Sequence, residues 1–264
     1  MPTDTDPKRR HQNATTEAIQ AARADWPKWR SRRLADVLAP QGNLALIETR
    51  WFAEGENEED PARITPKAAL VGLPSTVTVT KIARKNIVTG LPEDGIRLWD
   101  SRSQAILNFK TIRVFDFDPR WVIDAQFAPI DSSRTVPFEH LRDSGGTRDL
   151  AVPGQITFSL DGLDYSLSAF EDEGTLLLVF ADRTNGNDDV DLRTYAAGRF
   201  LRVARRAGDV EAGPVVLDFN QAFIPPCGFS DEYNCPLPPP QNRFPMPITA
   251  GEVEIISGID IDGR

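Results

Sequence analysis

Between Asp218 and Asn242 the chain reads DFNQAFIPPCGFSDEYNCPLPPPQN. Prolines fall at Pro225, Pro226 and Pro236, and again as the run Pro238 to Pro240, while both cysteines of the chain, Cys227 and Cys235, stand among them. Each proline fixes φ and removes a backbone donor, so neither a helix interior nor a central strand can pass through this stretch. Yet Phe219, Phe223, Phe229 and Tyr233 run through it as well. Solvated proline-rich linkers are poor in such residues. The segment therefore reads as a rigid loop docked on its own fold, and the rest of the chain has to supply the surface that receives it.

That surface is available. The chain has 264 residues, 40% of them hydrophobic and 26% charged, which suits a globular protein with one large β domain or two modest ones. Thirty-nine acidic against thirty basic residues leave a net charge of -9, the wrong sign for a general nucleic-acid binder. No apolar run reaches the length of a membrane span, and no apolar stretch follows the basic residues of the N-terminus as a secretory signal requires. Two cysteines do not make a disulfide framework. The expectation is a reduced, cytoplasmic protein with no nucleic-acid or membrane partner.

Residues 1 to 14 are polar without periodicity and read as a disordered tail. Thr15 then caps a helical pattern carrying Ile19, Ala22, Trp26, Trp29, Leu34, Val37 and Leu38 on one face. Pro27 kinks this helix or opens a second one. Lys28, Arg30, Arg32 and Arg33 read as a solvated basic face, with contact to an acidic partner or a membrane surface as the sharper alternative. Beyond Pro40 and Gly42 the signals turn to β. Strands are expected over Leu44 to Phe52 and Val77 to Ile82, then near Asn86 to Thr89, Gly95 to Trp99 and Gln104 to Lys110, with a turn at Leu91 to Gly95. Glu54 to Asp60 is an acidic loop lacking the ligand alternation of a calcium site.

The later strands are clearer. After a turn at Asp118-Pro119, Trp121, Ile123, Ala125 and Phe127 point to one side and Val122, Asp124 and Gln126 to the other. Gln155 to Ala169 is a hairpin about Asp161-Gly162. Thr175 to Ala181 is apolar on both faces and so reads as a covered internal strand. The fold class is mainly β: antiparallel sandwich or barrel-like sheets, an N-terminal helix, and the docked Pro/Cys loop near the C-terminus. The division expected is a helix plus small β subdomain over residues 15–110 and a larger antiparallel β domain over 111–264, or one continuous domain.

Chemistry is sought where polar residues gather. The covered strand delivers Asp182 and Thr184. Thr194 to Val203 reads as a strand with Tyr195, Ala197 and Arg199 on one face, and Gly198 leaves room for a close approach. In Val215 to Asn220, Leu217 and Phe219 face one way and Asp218 and Asn220 the other. If these strands are neighbours, Arg199, Asp218 and Asn220 converge with the Cys227 loop. Such an Arg–Asp arrangement is a structural ion pair or a ligand-binding pair. The cysteines lack two further zinc ligands, since the chain has only His11 and His140 besides. They read best as small buried residues pinning the loop. No metal and no cofactor is expected.

The elements FADRTNG, TYAAGRFL, LDFNQAFIPPCGF, CPLPPPQNR and ITAGE together resemble the DUF1684 family. The residues that carry the likeness are Phe180, Asp182, Thr184 and Gly186; Tyr195, Gly198 and Arg199; Asp218, Phe219 and Asn220; Pro225, Pro226 and Cys227; then Cys235, Pro236, Pro238, Asn242, Gly251 and Glu252. The likeness spans roughly Trp26 to Glu252, and a family of unknown function implies no activity, cofactor or substrate. Two functions are therefore carried forward. One is a small-molecule site, binding or catalytic, walled by the Pro-Cys loop. Asp182, Thr184, Tyr195, Arg199, Asp218, Asn220, Cys227 and Asn242 are its candidate residues, and a small anionic or polar molecule is its ligand. The other is a non-enzymatic interaction or assembly protein in which the same cluster is structural.

Overall fold

The structure is a computed structural model that describes residues 14–52, 69–87, 89–130, 135–143, 147–172, 175–204 and 211–258. The acidic loop at Glu54 to Asp60, and the polar tail apart from its last residue, Ala14, lie outside the described residues. Ala14 itself is buried, and its N–H donates to the Val122 carbonyl at 3.0 Å.

Helix α1 spans Thr16–Leu38, with the Thr15 hydroxyl accepting from the Ala18 N–H at 3.2 Å. It runs through Pro27 as one helix rather than dividing there. Among its apolar residues Val37 is fully buried, whereas Leu38 turns to solvent. Strands β1 (Leu46–Trp51), β2 (Val77–Lys85) and β3 (Pro92–Asp100) form an antiparallel sheet with β3 in the middle. Pro92 to Gly95 of the expected turn are in fact the start of β3. The reversal is closed at Asn86, the first residue of the strand expected there, whose N–H donates to the Leu91 carbonyl at 2.8 Å and whose carbonyl accepts from the Gly90 N–H at 2.9 Å. Gly90, at φ 73°, makes that reversal possible, and Pro92 is tolerated because it opens the strand and faces the last residue of β2. Gln104–Asn108 is likewise a short helix and not a strand. Its cap explains it: the Ser103 hydroxyl accepts from the Ile106 N–H at 3.1 Å and donates to the Leu44 carbonyl at 2.6 Å.

Strand β4 (Phe109–Val114) follows, then β5 (Val122–Pro129), the hairpin β6 (Thr135–Glu139) and β7 (Thr147–Ala151), β8 (Gly154–Leu160), β9 (Leu163–Asp172), β10 (Thr175–Phe180), β11 (Arg199–Val203), β12 (Gly213–Asp218) and β13 (Glu252–Ser257). Six of these make one antiparallel sheet in the order β11-β10-β9-β8-β5-β12, and β13 pairs with β4. The β8–β9 turn has Asp161 at φ 50° and Gly162 at φ 80°, the twist-matched geometry of a two-residue hairpin loop.

The six-stranded sheet curls into a half-barrel. Its concave face packs Ile123, Ile156, Leu167, Leu178, Leu201 and Leu217 around Phe219 and Phe244. Phe219 meets Phe180 edge-on at 5.3 Å and Phe244 at 5.7 Å. Strand β10 is covered on both faces, as its composition requires: Leu176, Leu178 and Phe180 point into the half-barrel, and Leu177 and Val179 point to a second core. That second core holds Phe200, Trp99, Tyr233, Cys227 and Cys235, so the Pro-Cys loop is packed between the half-barrel and the small sheet. The fold is mainly β, antiparallel, with an N-terminal helix and a docked loop.

Candidate functional site

Arg199 opens β11 beside the end of β10, and there it is entirely buried. One terminal nitrogen donates to Asp182 Oδ2 and to the Ile248 carbonyl, each at 2.8 Å. The other donates to the carbonyls of Ala250 and, at 3.4 Å, Glu252. Asp182 Oδ1 accepts from the Thr184 N–H at 2.8 Å and the Ile248 N–H at 3.0 Å. The Thr184 hydroxyl meets that of Thr194 at 2.8 Å. Both members of the ion pair have no exposed side-chain surface. Arg199 therefore ties the ends of β10 and β11 to the segment entering β13, and its partner is Asp182, not Asp218. Gly198 makes this possible: at φ 101° a Cβ would stand 2.6 Å from Pro238 Cγ and 2.7 Å from the Phe180 carbonyl. The expected strand over Thr194 to Val203 is shorter, because Tyr195 to Gly198 form the turn leading into it.

Asp218 and Asn220 sit at the other end of the strand order, where β12 gives way to a turn of 3-10 helix. Asp218 Oδ1 accepts from the Asn220 N–H at 3.1 Å, and Oδ2 from Gln221 at 3.0 Å. Burial raises the Asp218 pKa above the ordinary carboxylate range, and those donors only partly oppose it. The Asn220 side chain accepts from the Asp118 N–H at 2.8 Å and donates to the Asp118 carbonyl at 3.0 Å, fixing the turn before β5. Asn242 is fully buried. It accepts from the Ser168 N–H at 2.9 Å and donates to the carbonyls of Ser168 and Val179, both at 2.8 Å. It thus fastens the triple-proline run to β9 and β10.

Tyr195 and Cys227 form a separate group. The Tyr195 hydroxyl donates to the Cys227 carbonyl at 3.2 Å and lies 3.6 Å from its Sγ. The Cys227 N–H donates to Cys235 Sγ at 3.3 Å, and both cysteines are free and buried. Donation from the Cys235 thiol, opposed by burial and helped by Tyr195, holds the Cys227 thiol below its usual value. The Cys235 thiol is pushed up by that same donation and by burial, and burial likewise raises Tyr195. His140 has no visible link to the cysteines in the sequence, yet it forms a β-bridge with Pro236, next to Cys235.

Tyr195 also lines a cleft of about 220 Å³, together with Arg193, Thr194, Ile224, Gly228, Val253, Glu254 and Ile255. Of the eight residues expected from the sequence, it is the one on these walls. Cys227 lies behind it. Gly228 has to be glycine here, since a Cβ would stand 2.4 Å from Ile224 Cγ2.

Sequence reasoning missed Arg33. Instead of joining a solvated face, it reaches in from α1 to Glu252, with Nε to Oε1 at 2.8 Å, and donates to the Ile224 carbonyl at 2.9 Å. Its guanidinium lies 4.9 Å from the ring of Phe223 and 5.0 Å from that of Phe229. The Ile224 N–H completes the Glu252 carboxylate at 2.8 Å. The signal available was the single Arg one turn before Val37 on the inner face.

Among the described residues no group of three or more His, Cys, Asp or Glu is placed to hold a metal ion, and no helix is long and apolar enough to cross a membrane. The chain belongs to the family described as "Protein of unknown function (DUF1684)", whose model matches residues 107–253. It is similar to the solution NMR structure of an uncharacterized protein from gene locus rrnAC0354 of Haloarcula marismortui. The two are 29% identical over 56% of this chain and 77% of that one, with a TM-score of 0.44. No curated protein matches the chain.

Proposed function

We propose that the protein binds a small molecule in the cleft between the Pro-Cys loop and β13. The observation that carries this reading is the cleft itself. Its walls come from three fixed pieces of backbone: the turn at Thr194 and Tyr195, the loop at Ile224 and Gly228, and the strand at Val253 to Ile255. Apolar Ile224, Val253 and Ile255 line it, and Arg193, Thr194 and Glu254 supply polar groups, the mixture that small-ligand sites use. A volume of about 220 Å³ equals that of about seven waters, so the ligand is small. Arg199, Asp182, Asp218, Asn220 and Asn242 spend their hydrogen bonds on neighbouring backbone and side chains. In this reading they hold the walls in place. That same burial favours the structural half of the alternative, an interaction protein without enzymatic activity. Two free cysteines support a reduced, cytoplasmic setting.

The test is a thermal-shift screen of small polar ligands on wild type and on Ile255→Trp, which fills the cleft. A ligand at about 100 times its Kd is expected to stabilise wild type by ~2.7 kcal/mol and to leave the filled variant unmoved. Equal stabilisation of both proteins would place binding elsewhere and end this reading.

A further inference from the structure

The small sheet carries a cation without an anion. Thr49 of β1 and Thr80 of β2 stand directly opposite Arg97 of β3, one on each side, so the three side chains share a face. That face looks toward the Pro-Cys loop: the Arg97 guanidinium lies 5.1 Å from the ring of Tyr233 and 6.0 Å from that of Trp99. Its neighbours on the sheet, Arg50 and Arg84, are paired with Glu48 and Glu93. Arg97 has no hydrogen-bond or ion-pair partner among the described residues, and its Nε is buried without an acceptor. Thr49 Oγ1 is buried without a partner too. The other polar groups around them are satisfied. The Trp99 indole N–H donates to Thr80 Oγ1 at 2.8 Å, and the Thr49 N–H donates to Glu232 Oε2 at 2.6 Å.

A buried polar atom left unpaired costs free energy, and two of them facing each other across one strand pair call for a common partner. That partner has to accept, because Arg Nε only donates and the Thr hydroxyl is free to donate. A carboxylate answers the Arg Nε and the Thr hydroxyl together, and its charge makes the hydrogen bond to a guanidinium stronger than a water would. A single negative charge fits better than two, since the Glu232 carboxylate already lies against Thr49. From this geometry we infer a second binding site, apart from the Tyr195 cleft, that takes the carboxylate of a small monoanionic ligand. Arg97 supplies the charge and Thr49 the hydroxyl. Thr49 and Arg97 lie in β1 and β3, outside the matched residues 107–253, while Glu232 and Tyr233 beside them lie within that match.

The probe is acetate, titrated into the full chain while the Thr49 amide and the Trp99 indole N–H are followed by NMR. Chloride at matched ionic strength and inorganic phosphate form the other arms. Wild type is expected to show saturable shifts with acetate, weaker ones with phosphate and none with chloride. Arg97→Gln should weaken acetate by at least about tenfold. Thr49→Val keeps the strand and the charge, and its loss should be smaller, about three- to tenfold. Shifts that rise linearly without saturating in wild type, or an unchanged curve in a folded Arg97→Gln or Thr49→Val, would overturn the assignment and leave an adventitious ion only. Phosphate binding tighter than acetate would overturn the monoanion class.

Discussion

Arg199 and Asp182 are charged groups in a place where charge is expensive, and the arrangement holds because both terminal nitrogens of Arg199 and both oxygens of Asp182 are hydrogen-bonded, although the Arg199 Nε has no partner. Removing one partner leaves the other buried and uncompensated. Arg199→Met is therefore expected to lower the unfolding free energy by ~3–5 kcal/mol, read from urea denaturation. Adding Asp182→Leu should recover part of the loss, because the pair is coupled and its single effects do not add. An unaffected Arg199→Met would mean that the clasp does not hold the fold. The residues of this cluster were visible in the sequence as a dense polar set, but their pairing was not. Alternation along β11 and β12 shows which side chains share a face. It does not show that Arg199 pairs in register with Phe180 at the end of β10, two residues before Asp182, and that register decides that Arg199 meets Asp182.

Elements dock through their ends. The hairpin of β6 and β7 reaches the Pro-Cys loop through His140, whose Nδ1 lies 3.0 Å from the Phe138 carbonyl and whose backbone bridges Pro236. Burial, with Arg148 nearby, holds the imidazole pKa below its ordinary 6.5, although the Phe138 carbonyl opposes the shift. The folded state therefore binds fewer protons than the unfolded chain in the window below 6.5. Stability from this group is full above that pH and falls as pH drops through the window, until His140 protonates within the fold. In melting curves taken between about pH 8 and pH 5, His140→Gln should flatten the acid-side loss by roughly 1.4 kcal/mol for each unit of pKa shift. An identical pH profile in the variant would remove His140 from the account. Strands with strong alternation, β5, β8 and β9, were legible because their period survives any context, and β10 was legible from its unbroken apolar run. The short helix Gln104–Asn108 and the start of β3 were not, because the Ser103 cap and the Gly90 turn act over a few residues against a β-like composition.

At the scale of the whole molecule, α1 is held to the sheets by Arg33, placed between two phenylalanine rings and paired with a carboxylate that is 1% exposed. Arg33→Ala should cost about 3 kcal/mol, since Glu252 would be left buried with only the Ile224 N–H and the cation–π contacts would be lost as well. The sequence separation between Arg33 and Glu252 is 219 residues, so this pair closes a loop nearly as long as the chain. The expectation is that this pair closes late, after the sheets that carry β13 have formed. The lost stability should then appear as faster unfolding with an almost unchanged refolding rate in stopped-flow experiments, whereas a slowed refolding arm would place α1 in the nucleus. With the first outcome the helix is a late latch: it contributes little to how quickly the protein reaches its native state, and much to how long it stays there.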